Sequence, residues 1–547
     1  MRVSEAVVEA LADNGIETVF GIPGTQSLPL NEAIADRSDI RYVMARHETA
    51  VSHQAWGYAE TSGRPAATVV VPGPGDMNAM NGLMNALNDC VPIIHIAVET
   101  DPELRGTDAI HETPPETYDT VVKENITVPT AEGTRAALER AIAVATTPPK
   151  GPVRIGIPKS FLNRSTPQAA AGPYPRDGIG EPPAESIETV ADHLTRAERP
   201  LIVAGGGVRA ADGEDALRMA AETLDAPVVT TYKGKGVFPE DHELYAGLLS
   251  VGSTEHLRTF TAESDVALAV GTDLDAVTTQ QFDIELPATL VHVTLHEDDI
   301  GRDYEPTVSL VADARTTLTA ITDAVERRDT KDTPRNGADR AQSVRAADAA
   351  LMADVLAVDE PPLTSASAEA AIDRVLPDNA IVSLDAGGFR IWSLYVIETT
   401  AGRSVIDTGS WATMGTSLPA AIGAKLAAPD RPVVALVGDG GLLMCMQELH
   451  TVATESIPVV TVVFNNSDYA TISDRAAAEY DFEPGAFGWS DEPVGFVGLA
   501  RQLGVTAEQA DTPELIEDRV ETALGRDEPT LIEVPTDPME PQAKPID

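Results

Sequence analysis

Between Pro432 and Tyr469 the chain sets a carboxylate and an amide at the ends of two apolar runs. Val433-Val434-Ala435-Leu436-Val437 is followed by Gly438-Asp439-Gly440, and Val459 to Phe464 by Asn465-Asn466. Both runs are short, continuous and rich in β-branched residues, the pattern of strands buried on both faces. In open α/β sheets ligands sit beyond the carboxyl ends of such strands. Asp439 offers a carboxylate there, and Asn466 a neutral amide oxygen. A hard cation such as Mg²⁺ takes one or two such oxygens from protein and the rest from phosphate and water. Gly440 and Gly441 let a diphosphate approach the backbone. Residues 441 to 464 suffice for a helix and a returning strand. An aspartate in an ordinary turn is the plain alternative, and the Asn-Asn pair at this distance argues against it.

A second carboxylate stands at a comparable place near the amino terminus. A strand expected over Ile40 to Met44 hands over through Arg46-His47 to a helix from Glu48 to Ala59. Glu48 can therefore project into a crevice and take part in proton transfer. Taken alone, it reads more readily as a carboxylate favoured at a helix start.

These residues need a scaffold. A chain of 547 residues is too long for one core and is expected to form two to four domains. Residues 1–165 alternate helix and strand. A Pro/Ala/Gly-rich linker follows at 162–185, with Pro167, Pro173, Pro175, Pro182 and Pro183. A second α/β unit is expected over 185–325, a charged and partly helical linker over 326–362 with Pro334, Pro361 and Pro362, and a third unit over 363–547. The prediction is α/β in three domains, each a parallel sheet of about six strands. Gly205-Gly206-Gly207 after the strand Leu201–Ala204 lacks the GxGxxG spacing and is a weak dinucleotide signal.

The net charge is −47, from 86 acidic and 39 basic residues, only eight of them lysine. That balance excludes nucleic acid and anionic membranes as partners. The acid is spread along the chain, as in proteins of high-salt cytoplasm. No run of about 18 apolar residues suggests a membrane span. The amino terminus leads into an amphipathic helix and not a signal peptide. Cys90 and Cys445, the only cysteines, make no disulfide framework and fit a reducing, cytoplasmic setting.

Gly438-Asp439-Gly440 with Asn465-Asn466 resembles the metal and diphosphate signature of thiamine diphosphate (ThDP) enzymes. More of the chain resembles the acetolactate synthase large-subunit group: Phe20-Gly21-Ile22-Pro23-Gly24, Arg46-His47-Glu48, Gly73-Pro74-Gly75 with Asn78, Gly106-Thr107-Asp108-Ala109 with Glu112, and Gly234 to His242. The resemblance implies a pyrimidine-binding domain, a central Rossmann-like domain and a diphosphate-binding domain. It implies that Asp439, Asn466 and the carbonyl of Asp468 ligate Mg²⁺, and that Gly24, Gly73, Asn78, Gly438, Gly440 and Gly441 line the ThDP site. Met414, after Trp411-Ala412-Thr413, would wedge the cofactor into a V while the Ala412 carbonyl holds its amino group. Glu48 would hydrogen-bond the aminopyrimidine N1′, and it would do so from the neighbouring subunit of a homodimer or homotetramer.

The implied activity is decarboxylation of a 2-oxo acid followed by carboligation, a transferase step of branched-chain amino acid biosynthesis. Departures keep alternatives open, namely a simple decarboxylase releasing an aldehyde or a cofactor-binding protein without synthase activity. Glu99 stands where the synthases usually carry glutamine, and Ile110 where they carry phenylalanine. The roles of Glu99 and His111, and any small regulatory subunit, stay open. Gly271-Thr272-Asp273-Leu274-Asp275 replaces an arginine-bearing segment and Gly252 a histidine, so FAD is expected not to be held.

Overall fold

The computed structural model describes residues 1–166, 179–328, 335–400 and 404–540. Pro167, Pro173, Pro175 and Pro334, expected in the linkers, lie outside the described residues. The first sheet comprises β1 (Thr18–Gly21), β2 (Arg41–Met44), β3 (Ala66–Val70), β4 (Ile93–Glu99), β5 (Glu124–Thr127) and β6 (Val153–Pro158). The second comprises β7 (Pro200–Ala204), β8 (Val228–Thr231), β9 (Tyr245–Leu249), β10 (Val266–Val270), β11 (Thr289–Thr294) and β12 (Val308–Val311). The third comprises β13 (Ile381–Leu384), β14 (Val405–Ile406), β15 (Val433–Gly438), β16 (Val460–Asn465), β17 (Thr506–Gln509) and β18 (Thr530–Pro535). Every pairing within these sheets is parallel.

The central strands are apolar on both faces, as parallel sheets covered by helices require. β3, β7 and β10 are buried at every residue. The strand orders show how the molecule is arranged. The first sheet runs β2-β1-β3-β4-β6-β5 and the third β14-β13-β15-β16-β18-β17, the same order counted from each sheet's first strand. The second runs β12-β11-β10-β7-β8-β9, the doubly wound order.

The matching first and third units also pack on one another. The helix Glu48–Ser62 follows β2, and the helix Ser417–Ala427 follows β14. They cross at glycines: a Cβ on Gly57 would lie 2.2 Å from the Ala420 carbonyl oxygen, and one on Gly423 2.0 Å from that of Gln54. Only hydrogen fits at either place, so the two backbones touch. The surrounding contacts are reciprocal. Before the first helix, the Arg46 amide donates to Glu448 (2.9 Å) and its side chain to His450 and Thr454 of the third unit. Before the second, the Trp411 indole donates to Asn81 (2.6 Å), and Asn81 donates to Thr413 (3.2 Å). One hydrophobic core accordingly runs from Val43 and Val51 through Ala420 to Val437 and Val463.

Two expectations change in detail. Most of the described part of the stretch read as a second linker is a 20-residue helix, Gly337–Leu356. Its Ala341 and Val344 are buried in the core on the β9 side of the second sheet, so an alanine-rich sequence that looks solvated is docked on one face. The glycines after β7 serve packing. A Cβ on Gly205 would sit 2.3 Å from the Gly271 carbonyl oxygen, and the Gly207 amide donates to that oxygen at 2.8 Å.

Candidate active site

On the first sheet, the ends of β1, β2 and β3 lie side by side, with Gly21, Met44 and Val69 in register. The helix that Glu48 opens is capped by His47, whose Nδ1 accepts from the Thr49 amide (3.2 Å). It ends at Gly63 in the left-handed conformation. The half-buried Glu48 carboxylate accepts from Asn78 Nδ2 at 3.1 Å. Gly75 stands beside it, since a Cβ there would come within 3.2 Å of Glu48 Oε1 and 2.8 Å of Val71. A Cβ on Gly24, from the β1 loop, would lie 2.2 Å from the same Val71. Gly73 has φ +62° and abuts the His111 carbonyl. The structure thus gathers Glu48, Asn78, Gly24, Gly73 and His111 at one sheet edge.

On the third sheet Asp439 follows β15, and Asn466 and Asp468 follow β16, neighbouring strands in register. Asp439 is 4% exposed, and burial pushes its carboxyl up to about 6. One of its oxygens accepts from the Gly440 amide (2.7 Å), the other from the Ser467 amide (2.6 Å). Two backbone donors leave lone pairs on both oxygens, and a cation there would draw the carboxyl back to its charged form. Asn466 Oδ1 accepts from the Asp468 amide (3.1 Å). One oxygen of the Asp468 carboxylate accepts from the Ser473 hydroxyl (2.7 Å). Among the described residues no group of three His, Cys, Asp or Glu side chains is arranged to hold a metal ion. The predicted set differs in kind: one carboxylate, one amide and one carbonyl, to be completed by phosphate and water.

Met414 belongs to the same end. A Cβ on Gly440 would meet the Tyr469 ring at 2.4 Å and Met414 Cε at 3.2 Å, so the glycine lets both side chains pack against the Asp439 turn. Ala412 has φ +47°, a costly conformation outside glycine. Asp385, at the end of β13, pins this loop and escaped the sequence reading. It is fully buried, and burial pushes it up to about 7. It accepts from the Ala386 amide (2.7 Å) and from the Gly415 amide (2.9 Å). Only the position of an aspartate at a strand's carboxyl end could have signalled it. No hydrogen bond among the described residues joins Glu48 to Asp439 or Asn466 within the chain.

Two cavities adjoin these elements. One of about 610 Å³ opens beside Gly73 and is lined by Asp76, Glu99, Arg105, His111 and Arg154. The other, about 360 Å³, lies at the carboxyl ends of the second sheet against the first unit. Its cations are engaged: Lys150 on the Ala210 carbonyl, Arg209 on Glu60, Arg302 on Asp299, and Lys233 at 3.9 Å from Asp89. Asp273, pushed up by burial, faces it as well.

Comparison with known proteins agrees with this geometry. Residues 1–121 match the N-terminal TPP binding domain of thiamine pyrophosphate enzymes, residues 187–321 their central domain, and residues 385–534 their C-terminal TPP binding domain. The chain is 30% identical to a probable acetolactate synthase large subunit of Methanocaldococcus jannaschii, over 99% of this chain and 93% of that protein. It is 33% identical to the probable 2-ketoarginine decarboxylase AruI of Pseudomonas aeruginosa, over 98% and 94%. Its fold superposes on a thiamine diphosphate-dependent 4-hydroxybenzoylformate decarboxylase of Rhodococcus jostii RHA1 with a TM-score of 0.84, at 26% identity, covering 98% and 99% of the two chains. The match to the C-terminal domain runs on through β16 and Tyr469 to the last strand, β18.

Proposed function

The chain belongs to the thiamine pyrophosphate enzyme family, and from that premise we infer that it decarboxylates a 2-oxo acid and joins the remaining fragment to a second carbonyl compound, as an acetolactate synthase does. The observation that carries this reading is the pairing of two like-ordered units. One offers a helix-start carboxylate, Glu48, and the other the oxygen set of Asp439, Asn466 and Asp468. When bound, thiamine diphosphate supplies a nucleophilic carbon and an electron sink for the loss of CO₂.

The residues present fit that cofactor by the chemistry of their donors, because the Asp439 carboxylate and the Asn466 amide follow neighbouring strands and both offer hard oxygens to a cation that holds a diphosphate. Asp439, Asn466 and the Asp468 carbonyl would hold Mg²⁺ on it. Glu48, held by Asn78, would keep a proton shared with the pyrimidine N1′. Met414 and the Ala412 carbonyl would fix the bent shape of the cofactor, with Asp385 keeping their loop in place. In the second-sheet cavity a flavin diphosphate would meet the Asp273 carboxyl, which argues against a flavin there.

Incubation with ThDP, Mg²⁺ and high KCl, using pyruvate alone and then with 2-oxobutyrate, tests the reading. An acetohydroxy acid is the expected product, and Glu48→Gln should lower turnover roughly 10²- to 10⁴-fold. Release of no CO₂ from any 2-oxo acid overturns it. A second reading, a decarboxylase releasing an aldehyde, is favoured by Glu99, which is held between two arginines, and by the similarity to two proteins named as decarboxylases. Aldehyde as the sole product would select it.

A further inference from the structure

The cavity beside Gly73 is floored by a line of charged side chains. Thr68 Oγ1 meets His95 Nδ1 at 2.7 Å, and His95 Nε2 meets Asp76 at 3.0 Å. Arg154 donates from Nε and Nη2 to Asp76 (3.0 and 2.7 Å) and from Nη1 to Glu99 (2.9 Å), with its guanidinium 4.2 Å above the Tyr118 ring. Arg105 donates from Nη2 to the other oxygen of Glu99 (2.7 Å). His95, Asp76 and Arg154 are at most 2% exposed, Glu99 is 7%, and the Arg105 side chain is 34%. Gly156 makes room for the arrangement, since a Cβ there would fall 1.9 Å from Glu99 Oε1.

Asp76 and Glu99 are matched by Arg154 and Arg105; of the other acids that line the cavity, Asp108, Glu112 and Glu116, Glu112 is held by the Gly106 and Ala109 amides. Arg105 lines the cavity and spends one nitrogen on Glu99, which leaves its other guanidinium donors for a further partner. A planar fork held from behind by a buried carboxylate is the arrangement that binds a second carboxylate in front. That second carboxylate is not the one lost as CO₂. A guanidinium on the departing group would stabilise the charged ground state more than the transition state and slow the reaction.

The geometry therefore points to Arg105 as a specificity-determining residue for a carboxylate that survives the reaction. This rests on the functional reading above. The surviving carboxylate has two sources: the far end of a 2-oxo dicarboxylate donor, or the acceptor when that is itself a 2-oxo acid.

The test compares wild type, Arg105→Leu and Arg105→Lys. Donor selectivity is the ratio of kcat/KM for a 2-oxo dicarboxylate to that for a 2-oxo monocarboxylate of equal chain length. Acceptor selectivity is the corresponding ratio for a 2-oxo acid against an aldehyde, with pyruvate as donor. One ratio should fall about 10- to 100-fold in Arg105→Leu, the worth of a charge-assisted hydrogen bond, and Arg105→Lys should restore part of it. The ratio that falls identifies the source. If both ratios hold while CO₂ is still released, the proposal is wrong and the functional reading stands. If wild type releases no CO₂ from any 2-oxo acid, both fall together.

Discussion

Asp439 and Asn466 show what a sequence can disclose about chemistry, because each sits next to its own strand and the two strands are neighbours. Asp439→Ala should abolish Mg²⁺-dependent ThDP binding, read by calorimetry with and without EDTA; unchanged affinity would remove it from the site. Asp385 was not legible, because its contact with the Gly415 amide joins positions thirty residues apart. The line from His95 to Arg105 was hidden for the same reason, since Asp76 and Arg154, which join its two β4 members, lie on other elements. Buried acids also make a pH prediction. Glu448 is fully buried, accepts from the Arg46 amide and from Gln54, and burial raises it from about 4.5 to about 7. The folded chain then binds its proton more tightly than the unfolded chain does. Its contribution favours folding below about pH 4.5 and is lost as pH climbs to about 7. Glu448→Gln removes that titration. The stability of this variant relative to wild type should rise between pH 5 and 8, by about 1–3 kcal/mol at most. A flat difference in denaturation midpoint across that range would show that Glu448 does not titrate there in the folded state.

Helices and central strands were legible from their apolar runs, and most edge strands were not. β12 and β17 have only alternate or partial burial, so they lack the continuous run that marks a covered strand. β6 and β18 lie inside their sheets, yet Arg154 and Glu533 interrupt their apolar sequence. Both charges have structural duties: Arg154 spans Asp76 and Glu99, and Glu533 accepts from Asn465 (2.7 Å) beside the proposed metal turn. Glycines inside helices are the other signal that sequence leaves ambiguous. Gly423 and Gly498 are both helical, but a Cβ on Gly423 meets backbone at 2.0 Å, whereas one on Gly498 meets nothing within 4 Å. Gly498→Ala should therefore raise stability by up to about 1 kcal/mol through helix propensity. Gly423→Ala should cost about 1–3 kcal/mol or more, because two backbones must part. Thermal denaturation of the pair separates the cases, and equal shifts would mean that the helix crossing is not under steric control.

At the scale of the molecule, the shared strand order and the reciprocal Arg46 and Trp411 contacts relate the first and third units by an approximate twofold, so each unit presents its strand ends at a similar place. Within one chain no hydrogen bond among the described residues links Glu48 to the Asp439 turn. Large apolar side chains nevertheless stand exposed in the two units, including Met44, Met77, Trp411, Met444, Tyr469 and Ile472, which are 38–55% accessible. Exposed apolar groups of this size suit a surface that another copy covers. If Glu48 of one subunit serves the cofactor held by Asp439 of its partner, a dimer has two sites, each built from both chains. Glu48→Gln and Asp439→Ala homodimers would each have two damaged sites. A mixed dimer would place both lesions in one site and leave the other whole. Mixing the two inactive variants after dissociation and reassociation should then restore up to about a quarter of wild-type activity, since random pairing yields half mixed dimers with one intact site each. Recovery must follow subunit exchange, so mixing without dissociation serves as the control. Activity that stays at the sum of the two variants after proven exchange would place Glu48 and Asp439 in the same chain's site and set the partner aside.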